Sequence, residues 1–206
     1  MDIESLARTR RALHAVAELV MAGPQFRSSG TIRLRCALGG FATVTEPNVQ
    51  VVGADLVVPG QRLFLERTSC AALGAAIGVV PGAPEGLYQG GSGVGPDDVI
   101  EAEPQSAHLL AHAFAVGDAA LRLGFPGTEP VIWPEHFDIA VTVAGVDYGV
   151  SPGDEFQAEP YAYVGPPVPQ QGKYWNAPFG AAAAVGELGG VDGLLAFFER
   201  GRRLIG

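Results

Sequence analysis

The chain has 206 residues, of which 48% are hydrophobic and 17% charged. It is therefore long and apolar enough to bury a core, and this composition excludes an intrinsically disordered protein. Its net charge of -9 argues against binding to nucleic acid or to anionic membranes, because both depend on clustered Lys and Arg. No stretch approaches the ~18 apolar residues of a membrane span. Two cysteines outside any C-x-x-C pair are typical of a reducing compartment, and we expect a cytoplasmic protein.

The first part of the chain predicts a helix followed by short strands. An apolar stripe recurs at helical spacing over residues 3 to 22, with Glu18 on the opposite side, and Gly23-Pro24 is expected to end the helix. Apolar and polar residues alternate from Thr31 to Cys36, which predicts a half-buried strand. Further elements are expected as strands at 41–45, 49–52, 56–58 and 62–66 and as a short helix at 69–77.

Residues 81 to 98 form a loop rich in Gly and Pro. Long loops of this kind are commonly functional or disordered, so we expect either a mobile lid or a junction between two halves, residues 1 to 80 and 99 to 206. The glycines from Gly90 to Gly95 lack the Lys-Ser/Thr of a phosphate-binding loop and are followed by Asp97 and Asp98. A flexible loop is therefore a better interpretation than a phosphate site.

The second part of the chain opens on the most strongly predicted helix, with Pro104 near its start and Gly124 after its end. His108 and His112 lie four residues apart on this helix, but they fall opposite its apolar stripe and lack the glutamate of a zinc protease, so we expect surface histidines. Strands are expected at 131–133, 137–144, 146–150, 161–164 and 174–176, and a last helix from about Asp192, as its N-cap, to Arg200.

This order of elements predicts the fold class. Helices do not alternate with single strands, which disfavours a parallel doubly wound sheet, and runs of strands between helices favour an α+β fold with antiparallel pairing. We predict a single α+β domain over residues 1 to 206. Its mainly antiparallel sheet would be packed by two long and two shorter helices, and the two halves of the chain would share one element order.

Reactive side chains are concentrated between Trp133 and Tyr163. Strand alternation would place His136 and Asp138 on one face, beside the small Ala140. A type II turn at 151–154 would bring Asp154 to the end of the sheet. A histidine with carboxylates suits a general acid/base pair or a mixed N/O metal site. The structural alternatives are a hydrogen bond between His136 and Asp138 that serves packing, and an Asp154 that caps its turn. We assign no residue as a metal ligand.

The same segment resembles a family of uncharacterised bacterial proteins that is known as a domain of unknown function. The resemblance is specific over about residues 131 to 180, including Trp175. It is carried by Trp133-Pro134-x-His136-Phe137-Asp138, Tyr148-Gly149-Val150-Ser151-Pro152-Gly153-Asp154 and Glu159-Pro160-Tyr161-x-Tyr163. Many relatives have a second histidine where this chain has Glu135, a departure that weakens any paired-histidine metal site. The resemblance implies a common site, and it names neither a chemistry nor a cofactor.

We predict a small-molecule pocket on the sheet, covered by the loop at 81–98. In an enzyme, His136 would be the acid/base group and Asp138 its orienting partner, and the reaction would be a hydrolysis or an isomerisation. The alternative is a non-catalytic module that binds a protein partner through the Trp/Tyr-rich segment 133–175, since aromatic residues are enriched at interfaces. Residues expected to contact the ligand are Trp133, Asp154, Glu159, Tyr161, Tyr163 and Trp175.

Overall fold

The computed structural model describes residues 2 to 206. Its strands are β1 (Leu34–Ala37), β2 (Gly40–Thr43), β3 (Gln50–Val52), β4 (Asp55–Val58), β5 (Gln61–Phe64), β6 (Val131–Trp133), β7 (Asp138–Val143), β8 (Val146–Ser151), β9 (Tyr161–Gly165) and β10 (Ala181–Ala184). Its α-helices are α1 (Ile3–Ala15), α2 (Gly23–Ser29), α3 (Cys70–Ile77), α4 (Pro104–Gly124), α5 (Val185–Leu188) and α6 (Val191–Ile205). A π-helical segment, Val16–Ala22, joins α1 to α2.

All ten strands form one antiparallel sheet in the order β10-β9-β8-β7-β6-β1-β2-β3-β4-β5, so the predicted α+β fold with antiparallel pairing is confirmed. The strands before the 81–98 loop occupy one side of the sheet and those after it occupy the other. The two sets meet at the centre, where Leu34 of β1 pairs with Ile132 of β6. No helix within residues 2 to 206 has the length and apolarity needed to cross a bilayer.

The first helix does not end at Gly23-Pro24 as the sequence predicts. In the π-helical segment the Gly23 N–H bonds to the Glu18 carbonyl, so the next bond would require an N–H that Pro24 lacks. The orphaned Leu19 carbonyl instead accepts the N–H of Gly82 at 2.9 Å. A partner more than sixty residues away thus allows the helix to continue to Ser29.

The core joins both parts of the chain between the sheet and its helices. Phe41 of β2, Phe114 of α4 and Phe137 all contact one another edge-to-face, with ring centroids 5.3–6.4 Å apart. α4 approaches the sheet closely because it carries glycine at 117, where a Cβ would lie 2.8 Å from Val150 Cγ2. His108 and His112 are exposed on α4, as predicted.

Two elements near the C-terminus differ from the prediction. No strand forms at residues 174–176, and the alanine run Ala181–Ala184 instead pairs with β9 as the edge strand β10. The Asn176 side chain holds this edge by bonding both the N–H and the carbonyl of Ala182. The N-cap of α6 is Gly190, so the predicted capping role of Asp192 is wrong.

Register separates the two faces of the sheet in its second half. Ile139, Val150 and Val164 share the face that packs against α4 and α6. Alternation therefore places Asp138, Asp147, Tyr161 and Tyr163 on the opposite face. Three residues that the sequence singled out, Asp138, Tyr161 and Tyr163, therefore lie on the face away from α4.

Candidate functional site

A cleft of about 1050 Å³ opens where this polar face meets α1. Its walls come from α1, from the turn before β7, from the turn after β8, and from β9. The side chains that define its chemistry are Arg10, His14, Asp138, Asp154, Tyr161 and Tyr163. Four of these six were predicted as site residues, and the two from α1 were not.

Asp138 lies at the floor of the cleft as the first residue of β7, and it is 8% exposed. Its Oδ2 accepts a short hydrogen bond from the Tyr163 hydroxyl, whereas its buried Oδ1 has no hydrogen-bond partner in the part of the chain that is described. Burial raises the pKa of Asp138 to about 6, and the hydrogen bond from Tyr163 opposes that shift. Burial and the Asp138 charge raise the pKa of Tyr163 well above its ordinary value, so its phenol keeps its proton.

Tyr161 and Asp154 form a second tyrosine–carboxylate pair beside the first. The Tyr161 hydroxyl donates to Asp154 Oδ2 at 2.6 Å. Asp154 Oδ1 accepts the N–H groups of Phe156 and Gln157, so the carboxylate also caps its own turn. Burial and then the bond to Asp154 raise the pKa of Tyr161. Asp154 therefore both caps its turn and lines the cleft, although these two roles were predicted as alternatives.

Two residues of α1 form the opposite wall. Arg10 reaches across to donate to the Ala158 carbonyl at 2.9 Å. His14 Nε2 lies 2.7 Å from the Pro134 carbonyl, so this nitrogen carries the proton, and the ring stacks on Phe137 with centroids 5.3 Å apart. Burial lowers the pKa of His14 below its ordinary 6.5, which keeps the ring neutral at pH 7. A polar residue inside an otherwise apolar helical run was the sequence signal that could have identified His14.

His136 lies at the mouth of the cleft, and the strand alternation predicted to include it does not extend to this residue. It belongs to the turn before β7, and Phe137 has a φ of +54°, which breaks the alternation and sends Phe137 into the core. The His136 side chain is 74% exposed and lies 3.4 Å from Glu135. The predicted shared strand face with Asp138 is therefore wrong, and Tyr163 takes the place of His136 as the hydrogen-bond partner of Asp138.

Three predicted ligand-binding residues do not line the cleft. Trp133 pairs with Asp138 across β6 and β7, but its ring lies under the Arg33 guanidinium at 5.8 Å. Glu159 lies in a separate depression against α4. Trp175 packs edge-on against Tyr174 at 4.8 Å.

The glycine-rich loop reaches the cleft through one residue, Ser92. Glu18, which was predicted on the polar side of its helix, is 3% exposed and binds this loop. Its carboxylate accepts hydrogen bonds from the Ser92 N–H and hydroxyl, at 2.8 and 2.7 Å, and from the Tyr88 hydroxyl at 3.2 Å. The loop is thus bonded to the π-helical segment, and its Ser92 also lines the cleft.

Within residues 2 to 206, no three His, Cys, Asp or Glu side chains are grouped to hold a metal ion. The cleft instead combines carboxylates, phenols and aromatic rings. Comparisons with protein families, with curated proteins and with solved structures give no match for this chain.

Proposed function

We propose that the protein binds a small organic molecule in the cleft between α1 and β7–β9, with the Asp138–Tyr163 pair as its polar contact. The supporting observation is the buried Asp138 Oδ1 that no described group satisfies. An unmet buried acceptor costs about 1–3 kcal/mol, and native proteins retain few of them. A ligand that donates a hydrogen bond at the cleft floor would offset that cost.

The size and lining of the cleft support the same proposal. Its volume of about 1050 Å³ is close to the upper end of the range of small-molecule sites. Tyr161, Tyr163 and Phe179 supply aromatic surface, and a few charged groups converge beside them. Such sites bind by burying apolar area and use a small number of polar groups for orientation.

An enzymatic role would rest on Asp138. Its pKa of about 6 is closer to neutral pH than that of an exposed aspartate, and a general acid/base works best near the operating pH. His136 remains the second candidate acid/base residue in this proposal, since its exposed side chain lies at the cleft mouth, 3.4 Å from Glu135. Hydrolysis and isomerisation both use such groups.

Protein binding is the second candidate. Phe156 and Phe179 are exposed, and their rings stand edge-to-face with centroids 5.1 Å apart. Exposed aromatic pairs are typical of interface centres. Phe156→Ser would weaken binding to a protein partner, whereas it would leave a ligand at the cleft floor bound.

A thermal-shift screen of a metabolite library, followed by native mass spectrometry of the hits, tests the first candidate. Compounds that stabilise the wild type should lose their effect in Asp138→Asn. The matched control is Asp118→Asn, because Asp118 Oδ1 is also buried without a partner but belongs to α4, outside the cleft. Equal hit lists for the two variants, or no hit for the wild type, would contradict the proposal.

A further inference from the structure

The two tyrosines of the cleft point to the chemistry of its ligand. Tyr161 and Tyr163 lie two residues apart on one face of β9, and each donates its hydroxyl proton to a carboxylate, Asp154 and Asp138 respectively. A phenol has a single O–H proton. With both protons engaged, the two phenol oxygens offer only lone pairs to a ligand.

The other polar groups on this side of the cleft also accept hydrogen bonds. Asp147 Oδ1 accepts a hydrogen bond from the Thr142 hydroxyl at 2.6 Å, and Asp138 Oδ1 is an acceptor without a partner. Of the two arginines in the lining, Arg10 is already bonded to the Ala158 carbonyl. Five carboxylates line the cleft, namely Glu135, Asp138, Asp147, Asp154 and Glu155. With five carboxylates against two arginines, the cleft carries an excess of negative charge.

Aromatic rings stand beside these acceptors. Phe179 lies 6.1 Å from Tyr161 and 6.4 Å from Tyr163, centroid to centroid. The face of an aromatic ring attracts a cation, and the attraction strengthens when the cation leaves water. Acceptor oxygens beside aromatic rings are complementary to a positively charged nitrogen that carries hydrogen atoms.

We propose that the ligand of this cleft is a small organic cation with N–H donors, such as a primary amine or an amidine, whose charged nitrogen lies at the Asp138–Tyr163 pair. This inference rests on the proposed binding function and narrows it to one ligand class. An anionic ligand would meet lone pairs and carboxylates at the cleft floor. A neutral ligand would leave the charge of the carboxylates unpaired.

Calorimetric titration with matched probes tests the ligand class. The cations are benzylamine, benzamidine, butylamine and spermidine, and the counterparts are benzyl alcohol, benzoate and magnesium chloride. We expect at least one cation to bind, and to bind about tenfold or more tightly than benzyl alcohol, since a charge-assisted hydrogen bond contributes more than a neutral one. Benzoate and magnesium chloride are expected to give no binding.

Variants locate the binding site. Tyr163→Phe removes a phenol oxygen from the cleft floor and should weaken the cation about tenfold. Tyr174→Phe is the matched control, because the Tyr174 hydroxyl donates to the Phe197 carbonyl of α6 and does not line the cleft. Equal affinities of the two variants for the bound cation would overturn the inference.

The outcomes separate this inference from the function on which it rests. If library hits that depend on Asp138 are anionic or neutral, or if magnesium alone binds, the cation inference fails while binding at the cleft stands. If neither the library nor the four cations bind, both proposals fail. If cations bind and lose affinity in Tyr163→Phe but keep it in Tyr174→Phe, both are supported.

Discussion

The pKa of Asp138, about 6 in the folded protein against an ordinary 3.8, links this residue to the pH dependence of stability. Burial makes the folded chain hold a proton that the unfolded chain releases, so stability falls as pH rises through this interval. The difference corresponds to about 3 kcal/mol. We expect Asp138→Asn to gain stability relative to wild type by up to about 3 kcal/mol between about pH 4 and about pH 7. Urea denaturation across this range measures the gain, and parallel curves for the two proteins would contradict it.

Tyr163 provides a second test of the same pair. Its hydroxyl bonds to the Asp138 carboxylate and opposes the effect of burial on the Asp138 pKa. In Tyr163→Phe the pKa of Asp138 should therefore rise further, and the loss of stability should move to higher pH. Carbon-detected NMR of the Asp138 carboxyl group reports the midpoint directly. Tyr174→Phe should leave the titration midpoint of Asp138 unchanged. If Tyr163→Phe also leaves this midpoint at its wild-type value, the hydrogen bond from Tyr163 does not influence the pKa of Asp138.

The residues of the cleft were predictable only in part. Asp138, Asp154, Tyr161 and Tyr163 could be found because they lie in one segment of alternating strands. The partner of Asp138 was not predictable, because the positive φ of Phe137 turns the preceding residues away from the strand. Arg10 and His14 belong to a helix more than a hundred residues earlier in the chain, so no local pattern connects them to the cleft.

The π-helical segment Val16–Ala22 is the element that holds the glycine-rich loop. Glu18 within it accepts hydrogen bonds from Tyr88 and Ser92, so Glu18→Ala would leave three donors without an acceptor. Hydrogen bonds to a charged group contribute about 1.5–3 kcal/mol each. In Glu18→Ala we expect amide hydrogen exchange at residues 86–95 to be at least tenfold faster than in wild type. Glu4→Ala, at an exposed glutamate paired with Arg8 on the same helix, is the control.

The same contact can be broken from the loop side. Gly91 has a φ of +93°, and a Cβ at this position would lie 2.0 Å from Glu18 Oε1. Gly91→Ala should therefore accelerate exchange in the loop as Glu18→Ala does. Unchanged exchange in both variants would mean that Glu18 does not hold the loop.

Elements with a clear period were predicted to within a few residues, and those that depend on distant partners were not. The strands β6 to β9 have alternating side chains, and α4 has both an apolar stripe and terminal Pro and Gly. The strand β10 was missed because alanine has a low strand propensity, and it forms through pairing with β9 and the Asn176 bonds. The continuation of the first helix depends on Gly82, which no local pattern reveals.

At the scale of the whole molecule, the Phe41–Phe114–Phe137 cluster decides whether the chain unfolds as one unit. Phe41 belongs to the strands before the 81–98 loop, whereas Phe114 and Phe137 follow it. Removing a fully buried phenylalanine costs about 3–5 kcal/mol. If the halves share this core, Phe41→Ala must destabilise both together, which is what a single domain over residues 1 to 206 requires.

The two tryptophans make this measurable, since Trp133 and Trp175 both lie after the loop. In wild type, tryptophan fluorescence and far-UV circular dichroism should follow one urea transition. Phe41→Ala should move both signals to lower urea by the same amount, although the substitution lies in the other half. Phe64→Ala, at a 70% exposed residue of edge strand β5, should shift the transition by less than about 0.5 kcal/mol. If Phe41→Ala shifts the circular dichroism transition but leaves the fluorescence transition at its wild-type urea concentration, the two halves fold independently. The shared core would then contribute nothing to the stability of the second half.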